Sequence, residues 1–439
     1  MTAPLRVGLA GLGTVGRAVV HELLDNADAL AARAGRRLDL TRVVSRTPRP
    51  EVDLGGAPFD TDLGTLTTGD AVDVIVETIA GEDADAALAA ARGLFEAAVA
   101  AGRHLVTANK ALIALHGNTL LPAAEKAGVR VGFEASVAGG IPILNALTHG
   151  LAANRIEWLA GIVNGTSNYI LTAMTERQGD FDTALAEAQR KGYAEADPSF
   201  DIEGTDAAYK LAILAGLAFD VPFDFESVHT EGISTVDVED IEYARELGYR
   251  IKHLGIASFS EAGVRARVHP CLVPENALIA KVDGVMNAVQ VSGHAVGSTL
   301  YLGPGAGGAP TASAIVADLV DIARQERPGH RELRAVRGGG APMDALRSAH
   351  YLKIPAVDEP GVFAHVAEAL SREGISIEGA IQRARAIRSG EGAQWVPIVI
   401  LTNVVAEAEV RRATEAIEAL DGVSGAIRRI RVADFGGAA

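Results

Sequence analysis

The sequence has very little cysteine, and its positive charges are outnumbered. Cys271 is the only cysteine among 439 residues, so no disulfide can form within one chain, and a reducing compartment is expected. Lys and Arg total 40 against 56 Asp and Glu, which gives a formal charge of −16. A chain this acidic offers no basic stripe to a nucleic-acid backbone or an anionic membrane surface, so neither partner is expected.

Long apolar runs and a secretory leader are also missing. No uncharged apolar segment is long enough to span a bilayer, and the sequence does not open with a basic segment followed by an apolar one. We therefore expect a cytoplasmic protein without a membrane partner. A chain of 439 residues is expected to divide into two or three domains, each with its own core.

A glycine-rich turn near the N-terminus is the most informative motif that is present. Residues 11–16 read GLGTVG, after an apolar stretch from Leu5 to Ala10 and before a helix-like pattern through Val19 and Leu23. In a dinucleotide-binding turn the first glycine permits the sharp bend, the second lets backbone approach the pyrophosphate, and the third lets helix and strand pack closely. Glycine-rich turns without a ligand are common, but a preceding strand and a following helix favour a nucleotide site.

Apolar strands alternate with helical segments over the first third of the chain. Further strands are predicted at Leu40–Ser45, Val72–Glu77, His104–Thr107 and Val129–Phe133. This alternation predicts an α/β fold with a parallel, doubly wound sheet, because each parallel crossover needs an intervening element. Ligands of such sheets bind beyond the carboxyl ends of the strands, so the residues that follow each strand are candidates for the site.

Arg46 follows the second predicted strand, at the position whose side chain contacts the ribose 2′ group and so distinguishes NAD from NADP. An acidic residue there would bind the ribose 2′-hydroxyl, but this chain has Ser45-Arg46 and no carboxylate before Glu51. Arginine at this point favours the 2′-phosphate of NADP. A solvated loop arginine remains the alternative.

The densest polar segment of the chain is residues 191–210. Glu195 and Asp201 occupy a loop, and Asp206 and Lys210 lie one turn apart on a helix predicted to begin near Thr205. An ordinary surface salt bridge would also explain why Asp206 and Lys210 lie one turn apart. The acidic residues do not have the ligand spacing of a site for a hard metal ion.

A second polar cluster, Asn-Gly-Thr-Ser-Asn, occupies residues 164–168. It lies between a predicted strand at Leu159–Val163 and a helix predicted to start at Tyr169. Short polar side chains at such a junction either cap the helix or hold a small polar substrate, and the residues themselves leave both interpretations open.

Residues 11–16, 108–110, 134–137, 164–168 and 195–210, in this order, resemble homoserine dehydrogenase. This resemblance implies reversible interconversion of L-aspartate 4-semialdehyde and L-homoserine in threonine, methionine and isoleucine biosynthesis. The expected cofactor is NADP, with NAD as the alternative. Because no kinase-like region precedes the glycine turn, the chain resembles the monofunctional type of this family. The implied domains are a Rossmann-type nucleotide-binding domain at 1–138, completed by about 303–330, and an α+β substrate-binding and dimerisation domain at 139–302.

The resemblance also assigns roles to residues. Lys210 is the expected acid/base, with Asp206 beside it and Lys110 near substrate and nicotinamide. The substrate-binding residues implied are Glu195, Asp201, Gly165 and Thr166. The cofactor-binding residues implied are Gly11, Gly13, Thr14, Val15, Gly16, Arg46, Thr78, Lys110, Gly305 and Gly307. An ammonium group near the aldehyde oxygen stabilises the developing alkoxide and supplies a proton, and two neighbouring lysines are expected to lower each other's pKa.

The family further implies a monovalent cation, Na⁺, bound by main-chain oxygens of one turn. The matching positions are Glu134, Val137, Gly139 and Ile141. Carbonyl ligands leave no side-chain signature, so a glycine-rich turn without a metal ion remains the alternative.

A new pattern begins after the glycine-rich linker at 337–342. Predicted strands and helices follow in the order βαββαβ, at His350–Val357, Val362–Glu373, Ile375–Gln382, Trp395–Leu401, Ala406–Leu420 and Gly425–Val432. Residues 348–433 thus resemble an ACT domain, which implies an amino-acid effector, here L-threonine, with a structural or dimerising role as the alternative. We expect a homodimer or homotetramer. Because every implied catalytic group precedes Arg337, a chain ending there is expected to stay folded and active.

Two other functions are compatible with the same scaffold. Another semialdehyde dehydrogenase, one that forms an acyl intermediate, would need a nucleophilic cysteine, and Cys271 lies between prolines in a sequence typical of packing. A nonenzymatic NADP-binding amino-acid sensor would not need Lys110, Asp206 and Lys210. The presence of all three favours the enzyme.

Overall fold

The first part of the chain folds into a parallel sheet covered by helices. The computed structural model describes residues 3–81, 83–260, 262–324, 340–383 and 395–435. Its first elements are β1 (Leu5–Ala10), α1 (Thr14–Asp25), α2 (Ala27–Ala34), β2 (Leu38–Val44), β3 (Phe59–Asp60), β4 (Val74–Glu77), α3 (Ala84–Ala100), β5 (His104–Thr107), α4 (Lys110–Lys126) and β6 (Val131–Gly132). The six strands are all parallel, in the order β3-β2-β1-β4-β5-β6.

Both faces of this sheet carry a hydrophobic core. Leu5, Val7 and Leu9 of β1 pack with α1 and α2 on one face, whereas Ala10 faces the core that α3 and α4 form on the other. The order of strands and the two covered faces confirm the predicted Rossmann-type fold. The strand β3 was not predicted, because two residues carry no periodic pattern.

The middle of the chain mixes helices with an antiparallel sheet. Its elements are α5 (Ile143–Asn145), β7 (Ile156–Ile162), α6 (Gly165–Arg177), α7 (Phe181–Arg190), α8 (Ser199–Ile202), α9 (Thr205–Phe219), β8 (His229–Thr230), α10 (Val238–Glu246), β9 (Tyr249–Ser260), β10 (Gly263–Pro274), β11 (Met286–Gly293), β12 (Gly297–Pro304) and α11 (Gly308–Ala323). The last helix, α11, returns to pack against α1 in the core of the nucleotide-binding sheet.

One predicted helix begins earlier than expected. The sequence predicts a helix that starts at Tyr169, but in the structure this helix starts at Gly165. The side-chain oxygen of Asn164 accepts a hydrogen bond from the Ser167 amide at 2.8 Å and so caps the helix there. A side-chain cap of this kind satisfies a donor that the first helical turn leaves free. The whole polar cluster at 164–168 therefore belongs to a helix N-terminus.

The C-terminal elements have the predicted order. They are β13 (Arg347–Ser348), β14 (His350–Val357), α12 (Val362–Arg372), β15 (Ile377–Gln382), β16 (Trp395–Thr402), β17 (Val405–Ala406), α13 (Glu407–Glu418) and β18 (Arg428–Val432). The βαββαβ pattern is confirmed. Linker residues 337–339 and residues 325–330 of the predicted nucleotide-binding domain lie outside the described residues. Across the described helices, none has the length and apolar character that a membrane span requires.

The C-terminal module and the middle of the chain share one sheet. β18 pairs in parallel with β10 and antiparallel with β14, which produces the strand order β12-β11-β7-β9-β10-β18-β14-β16-β15, with β8 beside β10. Buried Tyr351 and Ile430 of the module pack in the same core as Tyr169 and Leu272. The module is therefore built into the same fold as the middle of the chain.

Candidate active site

The glycine turn after β1 has the backbone geometry that a dinucleotide needs. Gly11 has a φ of +100°, and a Cβ there would overlap the carbonyl group of Thr78. A Cβ on Gly16 would overlap the carbonyl oxygen of Gly11. A Cβ on Gly13, in contrast, would have no non-neighbouring atom of the described residues within 4 Å. The first and third glycines are thus required by backbone packing, and the second faces open space.

The helix that follows this turn has a free N-terminus. No side chain caps α1 at Gly13, so the amides of Thr14 and Val15 remain available to an anion. The loop before α11 lies beside it: Gly307 has a φ of +112°, and a Cβ on Gly308 would be 3.1 Å from the Thr14 carbonyl oxygen. These features fit a pyrophosphate between the two helix ends.

Arg46 lies just past the end of β2, at the same edge of the sheet. Its side chain is exposed and donates one hydrogen bond, 3.0 Å long, to the carbonyl of Ala80 in the loop after β4. A guanidinium has five N–H groups, so this bond leaves donors for a phosphate.

A buried carboxyl group connects the loops after β4 and β5. Glu77 accepts hydrogen bonds from the Ile79 amide at 2.7 Å and from the Thr107 hydroxyl. The Thr107 oxygen in turn accepts from the amide of Asn109, which caps the helix that begins with Lys110. Burial raises the pKa of Glu77 to about 6.

Asp206 lies between two lysines that come from different helices. Its Oδ1 is 3.0 Å from Lys110 Nζ, at the start of α4, and its Oδ2 is 2.7 Å from Lys210 Nζ, one turn later on α9. Lys210 also donates to the Val163 carbonyl at 2.8 Å, and Asp206 is almost fully buried. The predicted pair is therefore part of a buried, three-residue ion cluster and not a surface salt bridge.

Asn164 connects this cluster to a second carboxylate. Its side-chain nitrogen donates to Asp206 Oδ2 at 2.8 Å and to Asp201 Oδ1 at 2.7 Å. In the sequence Asn164 belongs to a polar cluster, and no separate role for it is predicted. Only its position between a strand and a helix hinted that its side chain is held in place.

The charges of the cluster stabilise one another. Burial opposes ionisation of Asp206, but Lys210 and Lys110 hold the pKa of this carboxyl well below its usual range. Burial lowers the pKa of Lys110, but the Asp206 carboxylate outweighs burial and raises it. The expectation that the two lysines lower each other's pKa is wrong for Lys110, because a carboxylate stands between them. Burial, with Asp206 nearby, raises the pKa of Asp201.

The remaining predicted substrate residues lie around the start of α6. Thr166 donates its hydroxyl hydrogen to the Tyr193 carbonyl at 2.6 Å, and a Cβ on Gly165 would be 2.9 Å from the Val285 carbonyl oxygen. Glu195 is exposed in the loop after α7, where its carbonyl accepts a hydrogen bond from the Gln189 side chain at 3.0 Å. The structure thus brings Lys110, Asp201, Asp206 and Lys210 together and leaves Glu195 on the surface.

The turn predicted to hold a cation packs against the loop before α11. Ala138 and Gly139 have φ values of +55° and +46°, and Gly140 donates to the Pro304 carbonyl at 3.1 Å. A Cβ on Gly305 would overlap the side-chain amide of Asn287. A Cβ on Gly139 would lie 2.6 Å from the Gly305 carbonyl oxygen, so glycine at 139 permits the close approach of the two loops, and glycine at 305 leaves room for Asn287.

The Glu134 side chain is not a free metal ligand. Its carboxylate accepts three hydrogen bonds from the Leu144 amide and from the main chain and side chain of Asn145, at 2.7–2.9 Å. Within the described ranges no group of three or more His, Cys, Asp or Glu side chains is arranged to hold a metal ion. The carbonyls of Val137 and Gly139 accept no hydrogen bond from the described residues, so these two positions fit a carbonyl-bound cation.

Cys271 is unsuited to nucleophilic chemistry. It is fully buried in β10, with its sulfur 3.2 Å from Nδ1 of His269, and burial raises the pKa of its thiol to about 12. A thiolate is the reactive form of cysteine, so Cys271 is not placed to serve as the nucleophile of an acyl-enzyme mechanism.

Known proteins match this chain over nearly its whole length. Residues 11–134 match the family model "Homoserine dehydrogenase, NAD binding domain", residues 142–320 match "Homoserine dehydrogenase", and residues 350–422 match "ACT domain". A homoserine dehydrogenase of Pseudomonas aeruginosa is 49% identical over 98% of this chain and 99% of its own. The crystal structure of one from Thiobacillus denitrificans has a TM-score of 0.89 at 49% identity and covers 99% of both chains.

A shorter solved structure also matches. It is a hyperthermophilic archaeal homoserine dehydrogenase in complex with NADPH, with a TM-score of 0.61 at 25% identity, covering 76% of this chain and 100% of that one. The glycine turn, the buried Asp206 cluster and the C-terminal module thus occur in a chain that matches such enzymes from end to end. The chain belongs to the homoserine dehydrogenase family of oxidoreductases.

Proposed function

We propose that this enzyme reversibly reduces L-aspartate 4-semialdehyde to L-homoserine with NADPH. The observation that carries the proposal is the ion cluster of Lys110, Asp206 and Lys210. Lys110 follows β5, so the cluster lies beyond the carboxyl ends of the strands, at the same edge of the sheet as the glycine turn. Ligands of doubly wound sheets bind at this edge.

Lys210 is the proposed acid/base. An ammonium has three N–H donors. Two of them point to Asp206 and to the Val163 carbonyl, which leaves one for the substrate oxygen. In the reducing direction this N–H stabilises the developing alkoxide and then protonates it. In the oxidising direction Lys210 receives the hydroxyl proton of homoserine.

The other members of the cluster position the substrate and balance its charge. The reduced nicotinamide, when bound, supplies the hydride to the aldehyde carbon. Lys110 offers a second cation next to the substrate, and Asp206 fixes both ammonium groups. Asp201 is the proposed partner of the substrate's α-ammonium group, with Glu195 approaching from its loop, and Gly165 and Thr166 line the same helix end.

NADP is the proposed cofactor in preference to NAD. Arg46 lies where the 2′-phosphate of NADP would bind, and a related archaeal enzyme has been solved with NADPH. The pyrophosphate would lie on Gly13, Thr14 and Val15. A monovalent cation, Na⁺, is proposed at the main-chain oxygens of Glu134, Val137, Gly139 and Ile141.

Regulation by L-threonine is proposed for the C-terminal module. ACT domains take small-molecule effectors, and this one shares a sheet with the substrate region. The enzyme would then act in threonine, methionine and isoleucine biosynthesis and be inhibited by one end product. We propose a homodimer or homotetramer, and a nucleotide-binding domain at 1–138 completed by 303–330, a substrate domain at 139–302 and an effector domain at 348–433.

Steady-state kinetics test the proposal directly. The purified enzyme is assayed for NADPH formation with L-homoserine and NADP, and for the reverse reaction with the semialdehyde, each repeated with NAD and with added L-threonine. We expect turnover in both directions with preference for NADP. Binding of NADPH without turnover of either substrate would instead indicate a nonenzymatic sensor.

A further inference from the structure

Asn287 is a buried polar side chain to which the proposed reaction gives no role. It lies near the start of β11, is 1% exposed, and its side-chain oxygen has no hydrogen-bond partner among the described residues. It lies between the helix end at Gly165 and the return loop, residues 303–308, which leads from β12 into α11. We propose that Asn287 is a positioning residue that sets the separation between these two segments, and with it the distance over which the hydride is transferred.

Asn287 packs directly against the return loop. A Cβ on Gly305 would lie 2.0 Å from both Cγ and Nδ2 of Asn287 and 2.5 Å from its Oδ1, so the three atoms nearest to that Cβ all belong to this amide. Asn287 is also opposite Gly303 in the pairing of β11 with β12. The main chain of the loop therefore touches the amide without any side chain between them.

The oxygen of the same amide lies next to the proposed substrate end of α6. A Cβ on Gly165, the first residue of that helix, would be 3.7 Å from Asn287 Oδ1 and 2.9 Å from the Val285 carbonyl oxygen. A buried acceptor without a hydrogen bond lowers stability, and an apolar side chain of similar size would avoid that cost. Packing alone therefore does not account for an asparagine here.

The chain just before Asn287 is fixed in place by buried hydrogen bonds. The side-chain amide of Asn168, on α6, donates to the carbonyls of Val282, Gly284 and Met286 at 3.0–3.3 Å. Buried Lys252, on β9, donates to the first of these carbonyls at 2.6 Å. Asn287 thus projects from a rigid support, which a residue that positions other segments requires.

The return loop continues from Asn287 to the proposed nucleotide site. A Cβ on Gly139 would lie 2.6 Å from the Gly305 carbonyl oxygen, and one on Gly308 would lie 3.1 Å from the Thr14 carbonyl oxygen. The loop is therefore held by the glycine turn at one end and by Asn287 at the other. Reacting atoms must approach to about 3–3.5 Å, and an error of about 1 Å caused by a remote substitution can slow a reaction about a hundredfold.

The test exchanges the sizes of the two residues that meet at this contact. Asn287→Ala removes the amide, Gly305→Ala adds a methyl group that the amide would block, and a double variant combines both changes. Asn276→Ala makes the first change at an exposed position and is the matched control. The rate of the first turnover is measured by rapid mixing of enzyme and NADP with L-homoserine. NADPH affinity and the melting temperature are measured on the same samples.

Asn287→Ala is expected to slow the first turnover by about ten- to a hundredfold, because the hydride donor and acceptor are no longer held at the right separation. NADPH affinity should change little, because the glycine turn stays intact. Gly305→Ala should slow the first turnover by a similar factor. The double variant should be faster than Gly305→Ala alone, because the atoms that overlap the new methyl group are gone. The control should behave as the wild type.

Two results would overturn the positioning role. If Asn287 only fills space, Asn287→Ala lowers the melting temperature and leaves the first-turnover rate of the folded enzyme unchanged. If the two sites are independent, the losses of the single variants multiply in the double variant. Where Gly305→Ala does not fold, the first-turnover rate of Asn287→Ala decides alone.

The inference rests on the proposed function, because hydride transfer from homoserine is its readout. A wild-type enzyme without turnover contradicts the proposed function and this inference with it. A wild-type enzyme that turns over homoserine no faster than Asn287→Ala contradicts only the positioning role.

Discussion

Arg431 and Glu231 form an ion pair across the junction of the C-terminal module and the middle of the chain. Nη1 of Arg431 is 2.9 and 3.1 Å from the two carboxylate oxygens of Glu231, and the rest of the guanidinium is held by Glu407 at 2.6 and 3.0 Å. Arg431 is almost fully buried. Removing Arg431 would take away a cation that two carboxylates share, one of them the buried Glu407, which is destabilising.

The sequence predicts that a chain ending near Arg337 stays folded and active. Such a chain would expose the β10 edge and the core surface that covers Tyr351 and Ile430, so we expect it to be less stable than the full chain. Each such side chain stabilises by about 1.5–3 kcal/mol when buried. We expect a melting temperature lower by at least about 5 °C in differential scanning calorimetry. An unchanged melting temperature would mean that the module is independent after all.

Replacing Lys210 should separate chemistry from cofactor binding. We expect Lys210→Ala to lower kcat by about two to four orders of magnitude, because the proton donor to the substrate oxygen is lost. NADPH affinity, measured by fluorescence titration, should not change. Lys126→Ala, on the exposed end of α4, is the control and should behave as the wild type. Near wild-type turnover of Lys210→Ala would refute the assignment of acid/base.

Asp206→Asn tests the electrostatic balance of the cluster. The Asp206 charge raises the pKa of Lys110 against the effect of burial. Without that charge, burial remains and the pKa of Lys110 falls. If the Lys110 charge is needed for turnover, the alkaline limb of the pH–rate profile moves to lower pH, and kcat falls at least about tenfold. Asp182→Asn, an exposed carboxylate, should leave the profile where it is.

Arg46→Ala tests cofactor choice. Only NADPH has a 2′-phosphate for this guanidinium, so its Michaelis constant should rise by about tenfold or more while that for NADH changes little. Initial rates with each cofactor measure the two constants. Equal changes for both cofactors would indicate a solvated loop arginine.

Glu77→Gln tests a buried carboxyl at the same edge of the sheet. Burial raises its pKa from 4.5 to about 6, so the folded state holds this proton more tightly than the unfolded state does. The resulting stability is complete below about pH 4.5 and is lost as pH rises to about 6, a change of about 2 kcal/mol. Urea unfolding across this range should show the loss in the wild type and in exposed Glu51→Gln, and not in Glu77→Gln.

The sequence predicts the helices, strands and turns whose formation depends on neighbouring residues. The strand at His104–Thr107 and the helix from Thr205 have the predicted positions, because apolar periodicity and flanking glycines act over a few residues. The backbone of the GLGTVG turn follows from local sterics in the same way. The six strands lie in the order β3-β2-β1-β4-β5-β6, which is typical of a doubly wound nucleotide-binding sheet.

Only the tertiary structure decided which charges meet. Asp206 and Lys210 share a helix, but Lys110 reaches the same carboxylate from α4, and its pKa therefore rises where the sequence predicted a fall. Asn164 likewise joins two carboxylates that its own neighbours do not reveal. Pairing of β18 with β10 could not be foreseen, because a strand's pattern shows which side is buried and not which edge it joins. Periodicity is a local property, whereas ion pairs and sheet edges depend on residues far apart in the chain.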